Sequence, residues 1–67
     1  MTPQRLAIYR VLMNATDHPS AEQVFQEVKT AFPDLSIDTV YRTLTTFSQI
    51  GVIRVVEGYG QAKRYDT

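Results

Sequence analysis

The chain has 67 residues, with seven Lys and Arg, seven Asp and Glu, and no cysteine. This length predicts a single domain, and the lack of cysteine excludes a disulfide framework, a thiolate zinc site and a cysteine nucleophile within these residues. No apolar run approaches the roughly 18 residues of a membrane-spanning helix, and no signal peptide is visible, so the composition predicts a soluble cytoplasmic protein without a membrane partner.

A first helix is predicted to begin at Thr2-Pro3, because threonine is a good N-cap and proline is favoured in the first helical turn. Residues 4–14 contain no helix-breaking residue. The apolar side chains of this helix cover a wider arc than the roughly 100° that a surface helix buries: Leu6, Ile8, Tyr9, Val11, Leu12, Met13 and Ala15. The pattern predicts a helix buried on two sides, the second against something outside this chain.

The second helix has the clearest start signal in the chain. Ser20 is followed three residues later by Gln23, which is the pattern of a capping box, and Pro19 disfavours helix before Ser20. The segment Phe32-Pro33-Asp34 is predicted to end the helix. Six apolar residues fall on one face of this helix: Ala21, Val24, Phe25, Val28, Ala31 and Phe32.

The third helix is predicted over residues 36–50, with Gly51 at the first position after its end. Its apolar stripe is predicted to be buried and consists of Ile37, Val40, Leu44 and Phe47. The opposite arc is polar and contains a single acid: Asp38, Arg42, Thr45, Thr46 and Gln49, flanked by Tyr41. This arc is either a solvated surface or a surface that reads DNA. Because threonine has a low helix propensity, helix stability does not account for three threonines in four positions, Thr43, Thr45 and Thr46.

A hairpin is predicted after the third helix. Residues 52–56 are mostly β-branched and predict a strand, residues 57–60 predict a turn, and residues 61–66 predict a return strand. The predicted fold is therefore mainly α with a small β-hairpin, a winged helix-turn-helix with three helices and a two-stranded wing. On the wing, Lys63 and Arg64 either contact a DNA backbone or belong to an ordinary solvated edge strand.

A third helix that lies in a DNA major groove would use its N-terminal half for contacts. We expect the helix start at Ser36 to favour a phosphate. Arg42 fits a guanine or a phosphate, and Tyr41 fits a phosphate or a base edge. Thr39 and Thr45 fit a thymine methyl group or a phosphate.

The net charge of zero is unusual for a DNA-binding chain, which commonly carries excess positive charge. The charges are segregated along the sequence, however. Residues 1–16 contain Arg5 and Arg10 and no acid, whereas residues 17–35 contain four acids and one lysine. This distribution supports DNA binding modestly, because the acids concentrate around the chain's second helix, which is the first helix of the helix-turn-helix and stays outside the groove.

Metal and catalytic patterns are weak in the sequence itself. His18 is the only histidine, and with Asp17 and Asp66 it supplies too few ligands to close a transition-metal site. The chain has no glycine-rich phosphate loop, no suggestively spaced pair of carboxylates and no motif around a Ser/His/Asp arrangement. It is therefore predicted not to be an enzyme.

Four segments, in matching order and with matching gaps, give the chain a resemblance to a known family. They are residues 2–5 (Thr-Pro-Gln-Arg), 18–22 (His-Pro-Ser-Ala-Glu), 36–44 (Ser-Ile-Asp-Thr-Val-Tyr-Arg-Thr-Leu) and 51–53 (Gly-Val-Ile). In these segments the chain resembles the ferric uptake regulator (Fur) family of bacterial metal-dependent repressors. The resemblance implies a winged-helix DNA-binding domain that acts in a homodimer on a pseudo-palindromic double-stranded operator.

The resemblance also implies roles for individual residues. Tyr41 and Arg42 match the Tyr-Arg pair of the family's recognition helix, and Arg5 lies in the segment that approaches the DNA backbone. His18 and Asp66 match two ligands of the family's regulatory metal, at the hinge to a dimerisation domain. Histidine and carboxylate suit divalent iron, manganese or zinc, and Asp66 with the His-Pro dipeptide slightly favours the family's peroxide-sensing branch.

The chain departs from the family by omission, since it lacks the His-rich stretch, the Cys-x-x-Cys zinc ligands, the dimerisation domain and the helix that usually precedes Thr2. We therefore expect residues 1–67 to be an isolated DNA-binding domain, monomeric by itself, that holds a partial metal site and binds no metal tightly. The alternative is a winged-helix module that binds protein and not DNA. Zero net charge and the broad apolar face of Leu6, Tyr9 and Met13 favour that alternative.

Overall fold

The computed structural model describes residues 2–57 and 63–67, and within them it contains three helices followed by two strands. The helices are α1 (Pro3–Asn14), α2 (Ala21–Lys29) and α3 (Ile37–Gln49), and the strands are β1 (Arg54–Val56) and β2 (Arg64–Asp66). The strands pair antiparallel, with Val55 opposite Tyr65. The predicted winged helix-turn-helix is confirmed. The predicted turn residues 58–60 and strand residues 61 and 62 lie outside the described residues.

Each helix begins where the capping residues predict it. Thr2 accepts a hydrogen bond from the Arg5 amide at 3.2 Å. At α2 both bonds of the capping box form, because Gln23 Oε1 accepts from the Ser20 amide at 2.8 Å and Ser20 Oγ accepts from the Gln23 amide at 3.3 Å. Ser36 caps α3. Gly51 follows the C-cap of α3 with φ of 84°, a left-handed conformation that suits glycine.

Three boundaries differ from those predicted. Lys63 was predicted to lie in the return strand but precedes β2, which is Arg64–Asp66. Helix α2 ends at Lys29 rather than near Phe32, although the chain keeps turning and the Phe32 amide still donates to the Val28 carbonyl at 3.0 Å. Strand β1 begins at Arg54 rather than at residue 52. The amides of the two preceding residues, Val52 and Ile53, both donate to the carbonyl of Phe47 and complete the end of α3, so they do not enter the strand ladder.

The core forms where the three helices and the hairpin meet. Its members include Ile8, Leu12, Val24, Val28, Val40, Leu44, Phe47, Ile53 and Tyr65. On α1, Ile8 and Leu12 are buried and the ring of Tyr9 packs edge-on against Phe47, with 5.7 Å between the ring centroids. Leu6 and Met13 remain 40% and 58% exposed. Helix α1 therefore buries one side fully and leaves part of its wide apolar arc open.

Among the described residues, no helix combines the length and the hydropathy that crossing a membrane requires.

Candidate nucleic-acid interface and metal site

The outward face of α3 presents a set of polar side chains to solvent. Tyr41, Arg42 and Thr45 are exposed, as predicted, while Val40 and Leu44 are fully buried on the opposite side. Helical periodicity explains this division, because the buried residues follow the spacing of one helix face. The side of α3 that was predicted to read DNA therefore lies opposite the core, and these three side chains are accessible on it.

Thr43 lies on the other side of this division. It is 2% exposed and belongs to the interior. Thr43 was predicted to favour DNA reading along with Thr45 and Thr46, but its burial removes it from the surface that could contact DNA. Thr45 is exposed and Thr46 is half-buried, so the polar surface of α3 is narrower than the run of threonines suggests.

At the start of α3, Ser36 and Thr39 are engaged with each other. Ser36 Oγ accepts from the Thr39 amide at 3.2 Å, and the two hydroxyl oxygens lie 2.9 Å apart. Ser36 is exposed and Thr39 is half-buried. Because the Ser36 hydroxyl already serves the cap, the backbone amides of the first turn are the donors that the helix start offers to an anion.

Tyr41 makes a contact that the sequence patterns did not indicate. Its hydroxyl donates to Glu22 Oε1 at 2.7 Å, which joins the exposed face of α3 to the first turn of α2. The hydrogen bond from Tyr41 lowers the pKa of Glu22, and the same bond raises the pKa of Tyr41. Glu22 stands outside the apolar stripe of α2 in the sequence, and no local signal shows which residue of another helix it meets.

Positive side chains lie on α1 and on the wing. Arg5 is exposed in the first turn of α1, and Lys63 is exposed just before β2. Each is available to a phosphate backbone in the structure. The sequence predicted both contacts, and both remain predictions.

Arg64 faces the protein. Its Nη1 donates to the backbone carbonyl of His18 at 3.1 Å and to Gln23 Oε1 at 3.2 Å. A backbone hydrogen bond also holds β2 against the loop before α2, since the Tyr65 amide donates to the Pro19 carbonyl at 3.0 Å. The predicted DNA contact of Arg64 stays a prediction, but these bonds give its guanidinium a structural task that the sequence did not reveal.

The two predicted metal ligands lie side by side. His18 Nδ1 is 3.9 Å from Asp66 Oδ1, and both side chains are 34% exposed. The second oxygen of Asp66 accepts a hydrogen bond from Arg54 Nη2 at 3.1 Å. Asp17, in contrast, is exposed in the loop before α2. Within residues 2–57 and 63–67, no group of three potential ligands gathers around one point.

The His18–Asp66 pair fits a divalent transition metal as part of a site. Bonds of about 2.1 Å from nitrogen or oxygen to such an ion keep two ligand atoms within about 4.2 Å of each other, and the observed separation satisfies this limit. Imidazole nitrogen and carboxylate oxygen are a suitable mixed donor set. Two ligands do not close a coordination shell, so this pair can supply only part of it.

Comparison with known proteins gives this arrangement a context. Residues 1–67 match the sequence profile of the ferric uptake regulator family. The peroxide-responsive repressor PerR of Staphylococcus epidermidis (strain ATCC 12228 / FDA PCI 1200) is 35% identical over 66 residues, which are 98% of this chain and 44% of the relative. The chain thus spans less than half the length of this relative.

Solved structures show the same fold. PerR from Streptococcus pyogenes, described in terms of peroxide sensing and gene regulation, superimposes with a TM-score of 0.93 at 28% identity, over 98% of this chain and 46% of the other. A zinc-bound manganese uptake regulator superimposes with a TM-score of 0.93 at 36% identity, over 100% of this chain and 51% of the other. These comparisons confirm the resemblance seen in the four sequence segments.

Proposed function

Because the chain belongs to the ferric uptake regulator family, we propose that it is the sequence-specific DNA-binding domain of a metal-responsive transcriptional repressor. The observation that carries this proposal is the exposed face of α3, where Tyr41, Arg42 and Thr45 project from a helix whose other side is locked into the core. A rigid helix that presents polar side chains of this kind fits the major groove of double-stranded DNA.

In this proposal α3 lies in the major groove, and Arg42 hydrogen-bonds a guanine or a phosphate while Thr45 meets a thymine methyl group or a phosphate. The N-terminal turn at Ser36 and Thr39 faces a backbone phosphate. Arg5 and Lys63 add phosphate contacts from α1 and the wing. Arg64 supports the wing by holding β2 against the start of α2, and any contact with DNA comes in addition to that task.

The regulatory part of the proposal concerns His18 and Asp66. These side chains would hold a divalent ion of iron, manganese or zinc together with ligands from elsewhere in the protein. A bound ion supplies positive charge that draws its ligands together and fixes the segments that carry them. His18 and Asp66 are attached to neighbouring backbone, since β2 bonds to the loop before α2. They would therefore move as one unit when further ligands join.

The assembly that we propose for the protein is a cytoplasmic homodimer on a pseudo-palindromic operator, with residues 1–67 acting as one DNA-binding domain. Because the dimer and the operator would share a two-fold axis, each domain would make the same contacts with one half-site, and the two sets of contacts would add. A single copy of this neutral chain should bind DNA weakly, because few phosphates are neutralised by one domain. The relatives are named as repressors and regulators, and no catalytic step is assigned to this chain.

The proposal is tested by selecting duplexes from a random 20-bp library with the chain at low salt. We expect a sequence to be enriched, and Arg42→Ala to weaken binding to it by about tenfold, as loss of a bidentate base contact does. Lys29→Ala is the matched control, because it removes one positive charge from the last turn of α2. Enrichment of no sequence, or equal losses in the two variants, would contradict the proposed reading helix.

A module that binds protein is the second candidate, and a groove between α1 and α2 favours it. The groove has a volume of about 450 Å³ and is lined mainly by apolar side chains, among them Leu6, Val11, Val28 and Phe32. Salt distinguishes the two candidates. Binding to DNA weakens steeply between 50 and 200 mM salt, whereas burial of an apolar groove does not.

A further inference from the structure

The hydrogen bond between Tyr41 and Glu22 limits which hydrogen bonds Tyr41, on the exposed face of α3, can form with DNA. Tyr41 is 43% exposed on the outward face of α3, and its hydroxyl donates to Glu22 Oε1 at 2.7 Å. Glu22 itself is exposed in the first turn of α2, directly after the capped N-terminus. A carboxylate at this place is stabilised by the helix dipole. Glu22 is ionised at neutral pH, since its pKa lies below the ordinary value of 4.5.

A tyrosine hydroxyl has one hydrogen to donate and lone pairs with which to accept. Phosphate oxygens only accept hydrogen bonds, so a tyrosine contacts a phosphate by donating. In this structure the donor is already directed to a carboxylate, in a charge-assisted bond that is stronger than one between neutral groups. The negative charge of Glu22 beside the hydroxyl also repels a phosphate.

What remains to Tyr41 is a different kind of contact. Its hydroxyl oxygen can accept from the amino groups of adenine or cytosine, which point into the major groove, and its ring edge can meet the methyl group of thymine. These contacts depend on base identity, whereas a phosphate contact does not. Glu22 thus selects which of two contacts Tyr41 makes, although Glu22 itself carries the wrong charge to touch the DNA backbone.

We infer that Glu22 is a specificity-determining residue of the DNA interface, because it occupies the Tyr41 hydroxyl hydrogen and so directs Tyr41 from the phosphate backbone to base edges. This inference rests on the proposed function of α3. It assigns to an acidic residue of the supporting helix a role in specificity, and it predicts that loss of Glu22 strengthens indiscriminate binding more than it strengthens binding to the preferred sequence.

The test measures dissociation constants for the duplex selected by the wild-type chain and for a scrambled duplex of the same composition. Their ratio is the specificity. We expect Glu22→Ala to lower this ratio about five- to tenfold, the size of one lost base contact. Glu22→Gln keeps an oxygen that accepts from Tyr41 and should retain most of the ratio. Glu27→Ala removes an equal charge from an exposed position of α2 and should leave the ratio near the wild-type value.

A Tyr41→Phe background separates the hydroxyl from the charge. There Glu22 has no hydrogen bond to accept, so adding Glu22→Ala should change the ratio no more than adding Glu27→Ala does. Equal ratios for Glu22→Ala and Glu27→Ala in the wild-type background would overturn the inference, as would an undiminished effect of Glu22→Ala in the Tyr41→Phe background. If the wild-type chain enriches no duplex, the proposed function fails instead. Circular dichroism confirms that each variant keeps its helices.

Discussion

His18 Nδ1 and Asp66 Oδ1 lie 3.9 Å apart, at the place where β2 meets the loop before α2. The other oxygen of Asp66 is bonded to Arg54, which stands directly across the hairpin from it. Arg54 therefore occupies one oxygen of the carboxylate and adds a positive charge beside the pair. Both effects oppose the approach of a divalent cation.

Replacing Arg54 by alanine should tighten the binding of Mn²⁺ to this pair. We expect an increase of about two- to fivefold, since Arg54 is largely exposed and such ion pairs contribute at most about 1 kcal/mol. Paramagnetic broadening of the His18 ring resonances by Mn²⁺ measures the affinity. Arg42→Ala removes the same charge from α3 and should have a smaller effect, whereas Asp66→Asn should weaken binding. A Mn²⁺ affinity unchanged by Arg54→Ala would show that the guanidinium does not compete.

Replacing Arg64 by alanine should destabilise the domain. The guanidinium donates to His18 O and to Gln23 Oε1 from a half-buried position. Loss of these bonds should lower the free energy of unfolding by about 1–3 kcal/mol, as measured by urea denaturation. Lys63→Ala, at the exposed neighbouring position, should change it by less than about 0.5 kcal/mol. Equal stabilities for the two variants would mean that the bonds from Arg64 to His18 and Gln23 contribute nothing to the fold.

Replacing Gly51 should destabilise the fold because of its backbone conformation alone. Its φ is 84°, and a Cβ built at this position meets no atom within 4 Å. Gly51→Ala should therefore lower the free energy of unfolding by about 1–2 kcal/mol through left-handed strain. Gly51→Asn should cost less, because asparagine tolerates this conformation better. Thermal unfolding followed by circular dichroism measures both, and an equal cost for the two substitutions would point to something other than φ.

The Tyr41–Glu22 bond predicts a change in titration. The hydrogen bond from Tyr41 lowers the pKa of Glu22 below its ordinary value of 4.5, so Tyr41→Phe should raise that pKa toward 4.5. A group with a lowered folded-state pKa stabilises the fold above its unfolded value and loses this contribution as the pH falls through the folded value. The stability difference between wild type and Tyr41→Phe should therefore shrink below pH 4.5. Carbon NMR of the Glu22 carboxyl checks the titration, and an unchanged pKa would contradict the bond.

The elements of this fold were predictable because their signals are local. Thr2, Ser20 and Ser36 each cap a helix through hydrogen bonds that span three residues, so sequence spacing contains all the information that the caps need. The exposed and buried sides of α3 follow in the same way from helical periodicity. At two of the boundaries that differed, the end of α2 and the start of β1, backbone groups form hydrogen bonds with partners that periodicity does not specify.

The contacts of the candidate site needed the tertiary structure. The family resemblance named His18 and Asp66, but only the docking of β2 on the loop before α2 brings these residues within 3.9 Å. Arg64 has the positive charge of a DNA-contacting wing residue. Its guanidinium nevertheless turns inward, because one acceptor in the loop before α2 and one in the first turn of α2 lie within reach. No pattern within either segment records that distance.

By itself, then, the sequence determined the three helices, their caps, the polar face of α3 and the family. Each of these depends on residues a few positions apart. The tertiary structure alone decided that Tyr41 is bonded to Glu22 and that Arg54 shares Asp66 with His18. These facts depend on how the elements pack, since hydrogen bonds and ion pairs between side chains form only where packing brings the two partners within about 4 Å.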